Sequence, residues 1–263
     1  MAVVLTWNVQ GRVGDWQERQ VEALATRDFD VLCLQEVTPG NRERWEQALT
    51  AMGFHVAVSG WPVEPRGSRR FAVLVASRAP LEVVQPPALP WQERHLAVRT
   101  ALDGTDVEVH TLHAPLSGKE EQVKVRTLEA LHEALAAPAG LARVLAGDFN
   151  TPQYESRDGE IQTFARTRGG NIRPRYGERH DRAELLLIED LPRRGWRDAF
   201  RAVHGYARRD RSWVAAVKGY GYRLDHIIVS AELEPIESDY VHEWREAGMS
   251  DHSAMWAEIR PAG

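Results

Sequence analysis

Apolar residues recur in short blocks along the whole chain, and the spacing inside each block changes with position. Residues 2–7 form an almost unbroken apolar run, the pattern of a strand buried on both faces. Asp15 to Arg27 carries Trp16, Gln20, Ala23 and Leu24 near one face of a helix, and Val31 to Leu34 is a second buried strand. That β-α-β spacing makes the two strands parallel neighbours. Arg42 to Met52 predicts a second helix, stopped by Gly53. The texture then changes. Phe54–Ser59, Phe71–Ser77, His95–Leu102 and Val107–Leu112 are short β-type runs separated by Pro, Gly and Arg. Lys119 to Ala137 is helical, with Leu128, Leu131 and Leu135 in register and Pro138 and Gly140 ending it. A second cycle opens with the buried strand Ala142–Ala146, which runs into Gly147-Asp148-Phe149-Asn150. A polar stretch from Thr151 to about Arg182 follows, and Arg223–Ser230 and Ser253–Arg260 are further strands.

This alternation predicts an α/β domain spanning residues 1–263, made of two halves, about 1–140 and 141–263. Each half would supply a mostly antiparallel or mixed sheet, with helices outside.

Composition changes the picture in three respects. With 43% hydrophobic residues the chain can bury a sizeable core. A formal net charge of -5 means that no global basic field marks a nucleic-acid binder. Of 33 basic residues only Lys119, Lys124 and Lys218 are lysine. Arginine's planar fork suits phosphate, although a GC-rich genome gives the same bias. The single cysteine, Cys33, sits in an apolar run and reads as a buried core thiol. No segment has the length needed to span a bilayer, so a soluble cytoplasmic protein without an indicated protein partner is expected.

Polar residues collect where strands end. Asn8 closes the first strand, Glu36 the second, His113 the run before it, and Asp148 and Asn150 the strand from Ala142. Asp225 adjoins Ile227-Ile228-Val229, and Asp251-His252 precedes the last strand. Core building alone does not place Asn, Asp, Glu and His there. Strand ends converging on one edge of a sandwich would gather these groups into one pocket. The set suits water attack on a phosphate ester. Carboxylate and amide oxygens hold a hard cation, a histidine oriented by a carboxylate moves a proton, and amides contact phosphoryl oxygens or hold the water. No nucleophilic-serine turn, glycine-rich phosphate loop or Cys/His zinc spacing is present.

Five segments make the pattern specific: Thr6-Trp7-Asn8-Val9, Leu34-Gln35-Glu36, Gly147-Asp148-Phe149-Asn150, Arg223-Leu224-Asp225-His226-Ile227 and Ser250-Asp251-His252-Ser253. In order and spacing they resemble the motifs of the endonuclease/exonuclease/phosphatase superfamily. The resemblance implies a four-layer α/β sandwich, two central mixed β-sheets flanked by helices, and an Mg²⁺ or Mn²⁺ site. It implies that Glu36 binds the metal and that Asn8 and Asp251 complete or support its sphere. Asp148 would orient or deprotonate the attacking water, or bind a second metal. Asn150 would contact phosphate and water, and Asp225 and His252 would form the carboxylate–imidazole pair. His113 matches the position filled by histidine in the deoxyribonuclease and sphingomyelinase-like branches, whereas abasic-site endonucleases resembling exonuclease III carry tyrosine there. Ser212-Trp213 with Gly221-Tyr222-Arg223-Leu224-Asp225 resembles the exonuclease III branch instead.

Other readings compete at several positions. Asn8 also suits a turn, and Asp148 and Asn150 suit an Asx turn before Pro152. His110 is a reserve candidate; His226 and His242 are not expected to be catalytic. Trp16, Trp45, Trp196 and Trp256 fit core patterns. Arg166, Arg168, Arg173, Arg175, Arg179 and Arg182 form one basic segment. Arg208, Arg209, Arg211, Trp213, Lys218, Tyr220 and Tyr222 form a second that interleaves aromatics, and Arg66, Arg69 and Arg70 a third. Such mixtures suit backbone contact and base stacking, and they equally suit a solvated, ion-paired surface. Arg173, Arg175, Arg211, Trp213 and Lys218 are the substrate-contact candidates. The expectation is a metal-dependent phosphodiesterase acting on DNA or RNA. The alternative is the same chemistry on a small phosphorylated metabolite, nucleotide or lipid headgroup.

Overall fold

The computed structural model describes residues 1–61, 70–117, 122–215 and 219–263. Its first half contains β1 (Ala2–Asn8), α1 (Asp15–Ala25), β2 (Val31–Val37), α2 (Arg42–Ala51), β3 (His55–Val58), β4 (Ala72–Ser77), β5 (Glu82–Val84), β6 (His95–Leu102), β7 (Thr105–His113) and α3 (Val123–Ala136). After these come β8 (Ala142–Asp148), β9 (Tyr154–Glu155), β10 (Ile161–Gln162), α4 (Gly177–Leu185), α5 (Leu191–Arg193), β11 (Arg197–Asp198), α6 (Ala199–His204), β12 (Trp213–Val214) and β13 (Gly221–Tyr222). The chain closes with β14 (Asp225–Val229), β15 (Leu233–Val241), α7 (His242–Glu246) and β16 (Ala254–Pro261).

Two six-stranded mixed sheets, in orders β15-β16-β1-β2-β4-β3 and β11-β14-β8-β7-β6-β5, pack face to face with helices outside. Val4, Cys33, Val75, Val109, Val144, Ile227 and Met255 meet between the sheets. Leu5, Trp7, Leu32 and Leu34 pack with Trp45 and Leu49 of α2, and Leu112 and Leu145 pack with Leu128 and Leu131 of α3. This is the four-layer sandwich that the family resemblance implies.

The division at residue 140 does not hold for the sheets. Strands β5, β6 and β7 lie in the first half of the sequence but pair into the second sheet, and β15 and β16 return to the first. The physical reason is the crossover. Parallel strands need a long connection, so β1–α1–β2 and β7–α3–β8 each form one parallel pair, one per sheet. Trp16 is also not core: it is 39% exposed, beneath the guanidiniums of Arg12 and Arg19. Trp45 and Trp196 are buried as expected. Among the described residues, no helix is long and apolar enough to cross a membrane.

Candidate active site

Strand direction and parity assemble the site. Parallel partners end at the same edge, so Asn8 lies beside Gln35 at the end of one pair and His113 beside Asp148 at the end of the other. The antiparallel neighbours start there: Asp225 opens β14 opposite Asp148, and Asp251–Ser253 leads into β16 beside β1. Side chains alternate faces along a strand. Asn8, His113, Asp148 and Asp225 share parity with Val4, Val109, Ala146 and Ile227, and so point into the crevice between the sheets. Glu36 has the wrong parity. A register shift between Leu34 and Val37 and a φ of 60° at Glu36 re-aim it. Gly147 is required one residue before Asp148. Its φ is +143°, and a Cβ there would lie 2.0 Å from the Leu112 carbonyl oxygen.

Hydrogen bonds then join the two sheets. Asn8 Nδ2 donates to Glu36 Oε1 (3.3 Å) and Asp148 Oδ2 (3.1 Å), while its Oδ1 accepts from the Gln10 backbone (3.0 Å). Asn8 is thereby an orienting donor to two carboxylates. Asn150, at φ 51°, donates its backbone N–H to Asp148 Oδ1 (2.9 Å) and its side-chain amide to the Ala114 carbonyl (2.8 Å). Ser250 Oγ donates to the Asn8 carbonyl and accepts from the His252 N–H, which ties the last strand to the first.

His252 Nδ1 lies 2.8 Å from Asp225 Oδ2, and its Nε2 lies 3.9 Å from Asp148 Oδ2. Burial disfavours the imidazolium, but the Asp225 and Asp148 carboxylates outweigh burial and raise the His252 pKa. The Asp148 pKa is also raised. Burial is the main cause and Asp225 adds to it, while the His252 charge and the Asn150 and Asn8 hydrogen bonds pull the other way. His113 differs. Its Nε2 is 3.8 Å from both Glu36 Oε1 and Asp148 Oδ2, while Arg94 Nη1 sits 2.6 Å from Nδ1 and 3.3 Å from Nε2. Contact with both ring nitrogens puts the guanidinium over the ring rather than along one lone pair. Burial first, then Arg94 and His252, push the His113 pKa well below its usual value, leaving a neutral imidazole.

Two donor sets could meet a metal ion. Asp148, Asp225 and His252 offer ligand atoms within 4.8 Å of one another. In that set the His252 Nδ1 is already engaged by Asp225, so a metal there would meet Nε2 of the neutral ring. Glu36 and Asp251 form the second set. Burial raises the Glu36 pKa and the neighbouring Asp251 charge raises it further, against the opposing effects of His252, Asn8 and Arg94. Two neighbouring carboxylates facing a crevice suit a hard divalent cation. Asp251 is held by Trp213, whose Nε1 donates to Asp251 Oδ2 at 3.0 Å.

The structure thus gathers all eight strand-end candidates at one edge. The substrate-contact candidates divide. Trp213 reaches the site, stacked on Tyr222 at 5.8 Å and 2°, with Phe164 edge-on to Tyr222. Arg173 is close enough to Tyr222 for its charge to act on the phenol. Arg211 donates to the Gly219 carbonyl and lines a separate cleft. Arg175 lies over Tyr176, without contact to the eight among the described residues. Lys218, Arg66 and Arg69 lie outside the described residues. Arg179 is ion-paired to Glu129 in the solvated-surface arrangement, whereas Arg166 is held by the buried Asp181.

Sequence reasoning missed two cations. Arg94 carries no motif signal. Lys124 did: in a chain whose cations are almost all arginine, one lysine is fully buried, its Nζ 2.7 Å from the Asn150 carbonyl and 2.5 Å from Glu184 Oε1. It anchors the backbone of the loop that carries Asp148 and Asn150.

Comparison with known families agrees with this geometry. The model of the Endonuclease/Exonuclease/phosphatase family matches residues 5–252. The chain belongs to this family. Its members are phosphoester hydrolases that depend on divalent metal. Among solved structures, an AP endonuclease from Archaeoglobus fulgidus is similar at TM-score 0.72 and 24% identity, covering 98% of this chain and 99% of that one. A 3' phosphatase, NExo, from Neisseria bound to a product DNA hairpin is similar at 0.68 and 23%, covering 99% and 100%. A family protein from Leptotrichia buccalis is similar at 0.70 and 17%, covering 99% and 100%. No curated protein matches by sequence.

Proposed function

We propose that the protein hydrolyses phosphodiester bonds of DNA or RNA with a bound Mg²⁺ or Mn²⁺. The observation that carries this reading is the meeting, at one inter-sheet edge, of the Glu36/Asp251 carboxylates with Asp148 and the Asp225–His252 pair. The cation, held by Glu36 and Asp251, would neutralise phosphate charge and polarise the phosphoryl oxygen. Asn8 holds the Glu36 carboxylate in place. Asp148, fixed by Asn8 and the Asn150 N–H, accepts the proton of the attacking water, and its raised pKa suits that task. His252 keeps its proton against Asp225 and stabilises charge developing on the phosphoryl oxygens, with His113 as a further donor, while Asn150 positions Asp148 beside the phosphate and water. The Trp213–Tyr222–Phe164 wall with Arg173 beside it favours a nucleotide substrate. The net charge of -5 favours a second reading, a small phosphorylated metabolite, nucleotide or headgroup.

A substrate panel tests the choice. Plasmid, abasic duplex, single-stranded RNA and bis(p-nitrophenyl) phosphate are each offered with Mg²⁺, with Mn²⁺ and with chelator. Cation-dependent cleavage of nucleic acid that falls steeply with salt is expected. Salt-insensitive turnover of small esters with intact plasmid would establish the second reading.

A further inference from the structure

A cleft of about 400 Å³ opens beside the active site, between the segment that follows Asn150 and the β12–β13 hairpin. Its lining contains Tyr154, Arg209, Arg211, Tyr220 and Tyr222, above Glu155 and Arg223. Among the described residues the exposed aromatic side chains are Trp16, Tyr154 at 42% and Tyr220 at 41%, and both tyrosines line this one cleft.

The charges there are unequal in standing. Arg201 and Arg223 are neutralised by Glu155, and Arg223 also by Asp198. Asp210 is engaged by His242 and Arg208. Arg209 and Arg211 form no ion pair among the described residues. Arg209 lies over the Tyr154 ring at 4.7 Å. Two guanidiniums without an ion-pair partner among the described residues, beside two part-exposed tyrosine rings, give phosphate contact and base stacking together. The cleft is separate from the site but shares a wall with it. Tyr222 lines it while stacking on Trp213, whose indole N–H holds Asp251.

We propose that this cleft binds the unpaired strand of nucleic acid flanking the scissile phosphate, with bases against Tyr154 and Tyr220 and phosphates on Arg209 and Arg211. This rests on the nuclease reading of the site. An unpaired strand is favoured over a duplex because a base inside a duplex is already stacked and cannot use either tyrosine face.

The test uses the full chain in chelator, so that nothing is cleaved, with a fluorescein-labelled twelve-nucleotide oligothymidylate read by fluorescence anisotropy. Tyr154→Ala should weaken binding about tenfold, the scale of losing one base–aromatic stack. Arg209→Gln should weaken it and lower the salt slope by about one contact. With cation restored, the ratio of oligonucleotide to bis(p-nitrophenyl) phosphate turnover should fall in both variants, because the small ester does not reach the cleft. Wild-type affinity and salt slope in both variants would overturn the proposal. So would equal losses on a blunt duplex, which would assign the cleft to double-stranded nucleic acid. A wild-type protein that binds no nucleic acid but turns over the small ester removes the nuclease reading and the cleft with it. Intact nucleic-acid cleavage with insensitive variants removes the cleft alone.

Discussion

Two groups of buried carboxylates lie on either side of β14 and are treated oppositely by their surroundings. On the crevice side Asp225 faces Asp148, with Glu36 and Asp251 beyond, and the pKa values of Asp148 and Glu36 are raised. On the other side Asp198 and Glu155 are clamped by Arg223, with Arg201 and His226 assisting. Burial opposes charge there too, but Arg223 outweighs it, holding Glu155 down at about 2 and Asp198 well below its usual value. Arg223 stands two residues before Asp225 and His226 one after, so a single short segment supplies both environments. Full compensation stabilises the fold, whereas the crevice side, where one imidazolium faces several carboxylates, leaves them ready for a cation or a proton.

The largest test of this contrast is Glu36→Gln. Removing one buried, repelled charge should lower cation-dependent turnover by at least ~10²-fold, the usual scale for a charge-stabilising group. It should leave the thermal midpoint in chelator equal to wild type or higher, since a desolvation cost disappears. A lowered midpoint with retained turnover would show Glu36 to be a structural ion, and the asymmetry would fail.

The opposite side predicts the opposite result. Arg223→Met strips Glu155 and Asp198 of their main partner and should destabilise by about 3–5 kcal/mol in denaturant titration, as breaking a buried pair does. The pH dependence follows. Both carboxylates have folded pKa values below their usual 4.5 and 3.8. Their contribution is therefore full above those values and is lost as pH falls through the folded ones, for Glu155 about 2. Wild-type stability should decline from roughly pH 5 downward, and the Arg223→Met slope in that window should be shallower. Parallel slopes would mean that other groups govern acid unfolding.

How much of this was legible in the sequence follows from the same division. Strand-end polarity marked the reactive carboxylates, because a buried strand that stops on Asp, Asn or His has few other reasons to do so. Asn8, His113, Asp148 and Asp225 were readable even in their direction, from parity with the valines, alanines and isoleucines before them. Glu36 was readable in place but not in aim, since a bulge reverses its face. The compensated group was not legible. Glu155, Asp198 and Arg201 lie far apart in sequence within polar stretches, and only the fold brings them together. β15 was missed for a related reason: it is an edge strand whose bulge at Pro235/Glu237 breaks the alternation. Two sheets were legible but their strand membership was not, because sequence order does not reveal that β5, β6 and β7 cross to the second sheet.

The smallest effect separates two roles of one residue. Trp213 holds Asp251 through its indole N–H and stacks on Tyr222 through its ring. Trp213→Phe removes the first contact and keeps an aromatic face for the second. A hydrogen bond to a charged group is worth about 1.5–3 kcal/mol when buried, and less in this half-buried position. The cation concentration for half-maximal activity should therefore rise roughly 3- to 30-fold. Turnover at saturating cation and oligonucleotide affinity in chelator should stay near wild type. If turnover falls while cation dependence does not move, the ring acts on substrate and Asp251 needs no such support. The crevice side of β14 would then be organised by Asn8, Asn150 and His252 without the indole.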